Sequence, residues 1–221
     1  MMRTRLEEEL RRVEEQVLAL GVNVEKALLE SVEALVNRDL ETSRRIIRDD
    51  RLINERRFVI ESDILVLIAT QQPIARDLRL LAAMLEINTE LERTGDYAKG
   101  ISRVNLLLGD AELIKPLVDI PLMAQKAADM LHRGLRAFAE RDVAAARTIP
   151  LEDDAVDALY NQVNRDLLAL VLADVGNLEQ ANYLLWAAHN LERAADRVTN
   201  ICERTVFTVT GEMAELDTHF D

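Results

Sequence analysis

The chain has 221 residues, of which 49% are hydrophobic and 30% charged, and its formal net charge at pH 7 is −13. This length and composition suit a globular protein of one or two domains with a substantial core. The excess of acidic residues argues against DNA or RNA as a direct ligand, because nucleic-acid-binding surfaces are basic.

The composition also predicts an all-α protein in a reducing compartment. Glycine (7) and proline (4) are scarce, and only 4% of the residues are aromatic, which favours helices over turns and strands. The single cysteine, Cys202, excludes an intramolecular disulfide. The N-terminal pattern is not that of a secretory signal, and the apolar runs are too short to span a bilayer. We therefore expect a cytoplasmic protein without a membrane span.

Six helices are predicted from the spacing of apolar residues and the positions of turn residues. The first carries Leu10, Val13 and Val17 at helical spacing, and the fifth is expected to be interrupted or kinked at Pro150. The six predicted helices cover residues 4–37, 40–70, 74–108, 122–140, 143–173 and 178–210.

The two halves of the chain repeat one another. Residues 91–96 read Leu-Glu-Arg-Thr-Gly-Asp, and residues 191–196 read Leu-Glu-Arg-Ala-Ala-Asp. Residues 38–40 match residues 141–143 at an offset of 103, and the offset falls to 100 from Leu78 and Leu178 onward. Such self-similarity indicates an internal duplication. Long helices joined by short turns pack antiparallel, so we predict two tandem three-helix bundles, at 1–110 and 122–221, with a linker at 111–121.

An acidic pair lies at matching positions of the third and sixth helices. Glu92 and Asp96 are four residues apart, as are Glu192 and Asp196, so each pair shares one helix face. Like charges at this spacing destabilise an isolated helix by roughly 0.2–0.5 kcal/mol. The repetition of this arrangement suggests that something cationic lies opposite.

The preceding helix of each half supplies a second polar pair, Asp50 with Asn54 and Asp153 with Asp157. Asp50 and Glu92 are both about 21 residues from the turn that joins their helices, so they lie level in an antiparallel pair. Oxygen donors that converge from two helices suit hard cations such as Mg²⁺, Mn²⁺, Ca²⁺ or iron, and Zn²⁺ and Ni²⁺ stay open. The predicted metal ligands are Asp50, Asn54, Glu92, Asp96, Asp153, Asp157, Glu192, Asp196 and Glu203.

The two acidic faces differ in their expected charge. The sixth helix continues its face to Asn200 and Glu203, whereas the third helix continues to Lys99 and Arg103. Carboxylates favour a divalent cation, and cationic side chains compete with it. We therefore predict that the second half binds metal more tightly than the first.

Two other interpretations of the acidic motifs stay open. The carboxylates could belong to solvated faces and pair with Arg93, Arg193 or Lys99, in which case the protein is a structural bundle without metal. The other alternative is a carboxylate-bridged metalloenzyme. Bundles of that kind use two Glu-x-x-His motifs, and His189 lacks such a partner.

Residues 72–79 read Gln-Pro-Ile-Ala-Arg-Asp-Leu-Arg. Together with both Leu-Glu-Arg-x-x-Asp motifs and with acidic pairs of an (E/D)xxxD pattern, they give the chain a resemblance to the PhoU family of phosphate-uptake regulators over nearly its full length. It implies two tandem three-helix bundles, often dimeric, with metal clusters on the acidic motifs in some members. A His often follows the motif Asp in the family, whereas this chain has Tyr97 and Arg197, so metal chemistry based on that His does not carry over.

The resemblance also implies a role and partners. The family signals phosphate sufficiency, acting between a phosphate-specific ABC transporter and a sensor histidine kinase and restraining both. We therefore expect a non-enzymatic adaptor that contacts the transporter ATPase and the sensor kinase through protein surfaces. Long amphipathic helices leave apolar surface for self-association, so we also expect a homodimer.

Overall fold

The structure, a computed structural model, describes residues 2–216, with side chains from Arg5 onward. Within this range the chain forms α-helices and short 3₁₀ segments and contains no strand, which confirms the predicted all-α class. The helices are α1 (Met2–Asn37), α2 (Leu40–Gln71), α3 (Ala75–Leu108), α4 (Asp119–Glu140), α5 (Val143–Thr148), α6 (Asp153–Ala173) and α7 (Leu178–Thr210).

The helices form two bundles that share one core. In the first half α1, α2 and α3 pack together, and in the second half α4, α6 and α7 pack together with α5 beside them. The bundles are joined side by side, because α3 also packs along α7 and α1 along α4. A continuous cluster of buried apolar side chains runs through both halves. The prediction of tandem three-helix bundles is confirmed, and α2 and α6 lie outside the central group of four helices.

Most helix boundaries fall within two residues of those predicted. The predicted fifth helix is interrupted at the expected place, since a 3₁₀ segment that contains Pro150 separates α5 from α6. Helix α4 begins at Asp119, three residues earlier than predicted. Pro121 is therefore part of its first turn, where the missing N–H costs no hydrogen bond. No helix within residues 2–216 is both long and apolar enough to cross a membrane.

The turn that precedes α2 has the same geometry as the turn that precedes α5. Arg38 and Arg141 have φ angles of 57° and 58°, in the left-handed region that residues other than glycine rarely adopt. Each is followed by an aspartate, Asp39 or Asp142, that accepts a hydrogen bond of 2.9 Å from the backbone N–H three residues later. This contact caps the next helix. The sequence match at an offset of 103 is therefore also a match of backbone geometry.

Helices α3 and α7 run antiparallel and approach closely. Glu86 lies 3.1 Å from Arg204 towards one end of the contact, and Gly100 lies against Asn190 towards the other. A Cβ on Gly100 would stand 2.9 Å from Oδ1 of Asn190, so a larger residue there would displace that side chain. Since the motifs at 91–96 and 191–196 lie on these two helices, both are held in the central section of the molecule.

Candidate functional site

The predicted acids of the first half lie within electrostatic reach of one another. Asp50 on α2 is only 6% exposed, and Glu92 and Asp96 lie on the facing helix α3. Burial is the main cause that raises the pKa of Glu92 above its usual value, and the charges of Asp96 and Asp50 raise it further. Arg57 and Arg93 act in the opposite direction. Nδ2 of Asn88 donates to the carbonyl oxygen of Arg57 at 2.9 Å, and this register places Asp50 level with the region of Asp96, about one turn beyond Glu92.

An ammonium group lies between two of these carboxylates. Nζ of Lys99 is 2.6 Å from Oδ2 of Asp50 and 3.2 Å from Oδ1 of Asp96. The hydrogen bond to Asp50 is the main cause that raises the pKa of Lys99 above its usual value. Nδ2 of Asn54 donates to the same Oδ2 of Asp50 at 3.3 Å. The competing cation expected from the sequence is therefore in direct contact with the acidic face, whereas Arg103 is exposed to solvent.

The second half presents more carboxylates at the equivalent place. Burial is the main cause that raises the pKa of Glu192, and the charges of Asp196 on the same helix and Asp157 on α6 raise it further. Asp153, at the start of α6, is buried. Thr199 stands at the position that matches Lys99, so no lysine reaches this face from α7. Crowded negative charge of this kind is relieved by a proton or by a cation.

A histidine that the sequence analysis set aside lies against this cluster. Nδ1 of His189 is 3.1 Å from Oε2 of Glu192, and the attraction of His189 lowers the pKa of Glu192 against the other effects. The available signal was the His-x-x-Glu spacing, which places both residues on one helix face. His189 is about half exposed, so it borders the carboxylates from the solvent side.

Arg197, which follows the motif aspartate of the second half, is directed towards α3. Its Nη1 lies 3.3 Å from Oε2 of Glu90, and Nδ2 of Asn200 donates to the same oxygen at 3.1 Å. Nη1 of Arg93 donates to the other oxygen of Glu90 at 3.0 Å. Glu90 is 8% exposed and joins the two halves. Sequence analysis missed it, because the matching residue of the second half is the neutral Asn190.

Glu203 lies apart from the other predicted ligands of the second half. Its Oε1 accepts a hydrogen bond of 2.9 Å from the backbone N–H of Leu216, and Oε2 lies 3.8 Å from Arg204. It is seven residues beyond Asp196, which corresponds to about 10 Å along the helix axis. Glu203 therefore lies about two turns beyond Asp196, and its role as a metal ligand stays a prediction.

The second half offers a hard cation more carboxylates than the first. Among the described side chains, no three from His, Cys, Asp and Glu are gathered closely enough to hold a metal ion as placed. The second half still offers four carboxylates from two neighbouring helices, which is a donor set that suits a divalent cation. In the first half an ammonium already contacts two of the three carboxylates. The four second-half carboxylates are Asp153, Asp157, Glu192 and Asp196.

Comparison with known proteins gives a consistent result for both halves. The PhoU domain model matches twice, at residues 17–104 and 120–205. The "Phosphate-specific transport system accessory protein PhoU homolog" of Clostridium acetobutylicum is 33% identical over 98% of this chain and 100% of its own length. The "Phosphate-specific transport system accessory protein PhoU" of Escherichia coli (strain K12) is 33% identical over 92% of this chain and 85% of its own length.

Solved structures give the same result. The crystal structure of the phosphate transport system regulatory protein PhoU from Streptococcus pneumoniae superposes with a TM-score of 0.88 at 29% identity, and the match covers 95% of this chain and 99% of that one. PhoU from Pseudomonas aeruginosa also superposes with a TM-score of 0.88 at 29% identity, over 93% and 99% of the two chains. With the duplicated model match and the relatives of full length, these findings show that the chain belongs to the PhoU family.

Proposed function

We propose that this protein regulates phosphate uptake as an accessory protein of a phosphate-specific transport system. The observation that carries the proposal is the similarity to proteins of that name over almost the whole chain, at 33% identity. The relatives are named as accessory or regulatory proteins, which supports a role without catalysis. The proposed partners are the ATPase of the transporter and a sensor histidine kinase, and the proposed compartment is the cytoplasm.

A test of this role measures phosphate uptake and partner binding in the same cells. In a strain that lacks the gene, radiolabelled phosphate uptake in phosphate-rich medium should rise, and the full chain supplied in trans should lower it again. Crosslinking and pull-down from phosphate-rich cells should recover the transporter ATPase or the sensor kinase. Unchanged uptake together with recovery of neither partner would contradict the proposed role.

The second half is also proposed to bind a divalent metal ion. Support comes from the four carboxylates on α6 and α7 and from the raised pKa of Glu192, whose negative neighbours a cation would neutralise. A bound cation would supply that positive charge and would hold α6 against α7. Asp157 and Glu192 approach each other from the two helices and would provide ligands from both sides.

The metal proposal is tested on the full chain, because α3 and α7 pack together and a separated half would expose that surface. Protein purified without chelators should contain metal by elemental analysis. Asp157→Ala should reduce the metal content more than Asn54→Ala does. Asp154→Ala, at the exposed neighbouring position on α6, is the matched control and should keep the metal. Equal metal content in all the proteins would contradict the proposed ligands.

A homodimer is proposed from the apolar residues that α2 leaves in solvent. Leu52, Val59 and Val66 are 46%, 55% and 55% exposed. They are seven residues apart, so they form one stripe along the helix. Light scattering should give twice the chain mass of 25.0 kDa, and Val59→Arg should lower it. A mass equal to one chain at micromolar concentration would refute the dimer.

A further inference from the structure

The first acidic face contains a positive charge supplied by the chain itself. Lys99 extends from α3, and its Nζ contacts Asp50 on α2 at 2.6 Å and Asp96 on α3 at 3.2 Å. The Lys99 side chain is 22% exposed and the Asp50 side chain is 7% exposed, so their contact lies mostly out of solvent. An ammonium group has three donors, and two of them are directed to carboxylates here.

We propose that the Lys99 ammonium is the resident cation of the first acidic face, so that α2 and α3 are held together without an ion from solution. The inference deepens the proposed metal role and rests on it only for the contrast with the second half. Lys99 and a divalent ion would compete for the same oxygen of Asp50. The ammonium of Lys99 has the advantage in this competition, because it already contacts Asp50 and does not have to be captured from solution.

The other contacts of Asp50 support this assignment. Its Oδ2 accepts from Lys99 and from Asn54, and its Oδ1 is buried without a hydrogen-bond partner. Lys99 is therefore the cationic partner of a buried aspartate, since residue Asp50 is only 6% exposed. Removing one partner of a buried ion pair leaves an uncompensated charge, which strongly destabilises the folded state.

The repeat provides an internal comparison for the same positions. The second half has Thr199 where the first has Lys99, and Asp157 where the first has Asn54. Both differences make the second face more negative, by one charge each. The first half is thus changed towards neutrality on both helices, as expected for a face that does not depend on an external cation.

The central variant, Lys99→Thr, gives position 99 the residue that the second half has at the matching position 199. Full-length wild type is compared with six variants, which are Lys99→Thr, Lys99→Met, Arg103→Thr, Asp50→Asn, Lys99→Thr/Asp50→Asn and Asp157→Ala. Each protein is stripped of metal and titrated with Mn²⁺, and free Mn²⁺ is followed by electron paramagnetic resonance. The melting temperature of each protein is measured with a chelator present. Lys99→Met keeps the aliphatic stem, and Arg103→Thr removes an exposed cation one turn further along α3.

The proposal predicts that both Lys99 variants melt roughly 5 °C lower than wild type in chelator, as expected when a largely buried pair loses one partner. Each should bind one more Mn²⁺ per chain than wild type, and the added equivalent should be lost when Asp50→Asn is combined with Lys99→Thr. Arg103→Thr should behave as wild type.

Two results would overturn the assignment. One is that neither Lys99 variant gains Mn²⁺, and the other is that Asp50→Asn alone removes a Mn²⁺ equivalent from the wild-type chain. Failure of the metal role in the second half has a separate signature. In that case wild type binds no Mn²⁺ and Asp157→Ala changes nothing, while the gain in the Lys99 variants still decides the assignment made here.

Discussion

The contact between Glu90 and Arg197 should be a main polar link between the two bundles. Glu90 is 8% exposed, and its two oxygens receive Arg197, Asn200 and Arg93 at 3.3, 3.1 and 3.0 Å. Arg197→Met removes one cation and leaves two donors in place. The cost should therefore fall below the roughly 3–5 kcal/mol of a buried charge left alone. We expect a loss of about 2 kcal/mol in the free energy of unfolding, because hydrogen bonds to charged groups contribute about 1.5–3 kcal/mol.

A double-mutant cycle measures this link directly. Glu90→Gln, Arg197→Met and the double variant are unfolded in urea, and the coupling free energy is obtained from the three changes. We expect a coupling of about 1–2 kcal/mol and, for Arg197→Met, a melting temperature lower by roughly 6 °C. Arg136→Met is the control, since Arg136 and Glu140 are both mostly exposed and 3.9 Å apart, and such pairs contribute about 0.5 kcal/mol or less.

The reasoning fails if Glu90 and Arg197 behave independently. A coupling below about 0.3 kcal/mol, which is the usual error of additivity for distant sites, would show that Arg93 and Asn200 are sufficient for Glu90. If the Arg136→Met control lost as much stability as Arg197→Met, the loss in Arg197→Met could not be assigned to the contact with Glu90.

Three further changes test other parts of the structure. Arg133 donates to both oxygens of Glu152 and lowers the pKa of Glu152 below its usual 4.5, so the contact stabilises the fold above that pH and is lost as the pH falls through the lowered value. Arg133→Met should therefore cost about 0.5–1 kcal/mol at pH 7 and progressively less as the pH is lowered through the pKa of Glu152, and a cost that stays constant throughout an acid titration would contradict the ion pair. Gly134→Ala places a Cβ 2.9 Å from Cγ1 of Val198, and overpacking should exceed the gain of about 1 kcal/mol in helix propensity, so a more stable variant in urea would show that α4 and α7 separate easily. Phe138→Ala, at a side chain with no solvent exposure, should cost about 3–5 kcal/mol by thermal unfolding, and a loss below about 1 kcal/mol would argue against a shared core.

The elements that sequence analysis predicted well depend on local signals. Helix positions follow from apolar spacing, and the break at Pro150 follows from the chemistry of one residue. The repeat at an offset of 103 marked the turns at Arg38 and Arg141, which share one backbone conformation. Counting residues from the turn placed Asp50 level with Glu92, whereas the contacts of Asn88 with Arg57 and of Lys99 with Asp50 place Asp50 about one turn further along α3, near Asp96.

The parts that it missed depend on how the helices pack. Glu90 has no signal in the repeat, and its role appears only when α3 lies against α7. Glu203 was added to the metal set because it continues a helix face, yet helix α6 begins at Asp153, about 22 residues from the turn that joins α6 to α7. Glu203 is about 28 residues from that turn. It therefore extends beyond the start of α6, where no level partner on that helix remains.

The sequence differences between the two halves have one effect on charge at the acidic faces and another at the contact between α3 and α7. At the contact between α3 and α7, Glu90 stands where the second half has Asn190, and Arg197 stands where the first half has Tyr97. The negative charge of Glu90 and the positive charge of Arg197 neutralise each other because the two side chains are in contact. At the acidic faces the differences at 54/157 and 99/199 both make the second half more negative.

Arg197 offsets this only in part, because it lies 3.3 Å from Glu90 and 3.9 Å from Asp196, and its charge is directed mainly to the interface. A balanced change needs nothing from outside the chain, whereas an unbalanced one favours a counter-charge from solution. The pattern of divergence therefore favours an external cation at α6 and α7, in addition to the half-exposed His189 that already borders Glu192. In the first half, Lys99 already contacts Asp50 and Asp96. The first acidic face is therefore the reference for a face that needs no cation from solution.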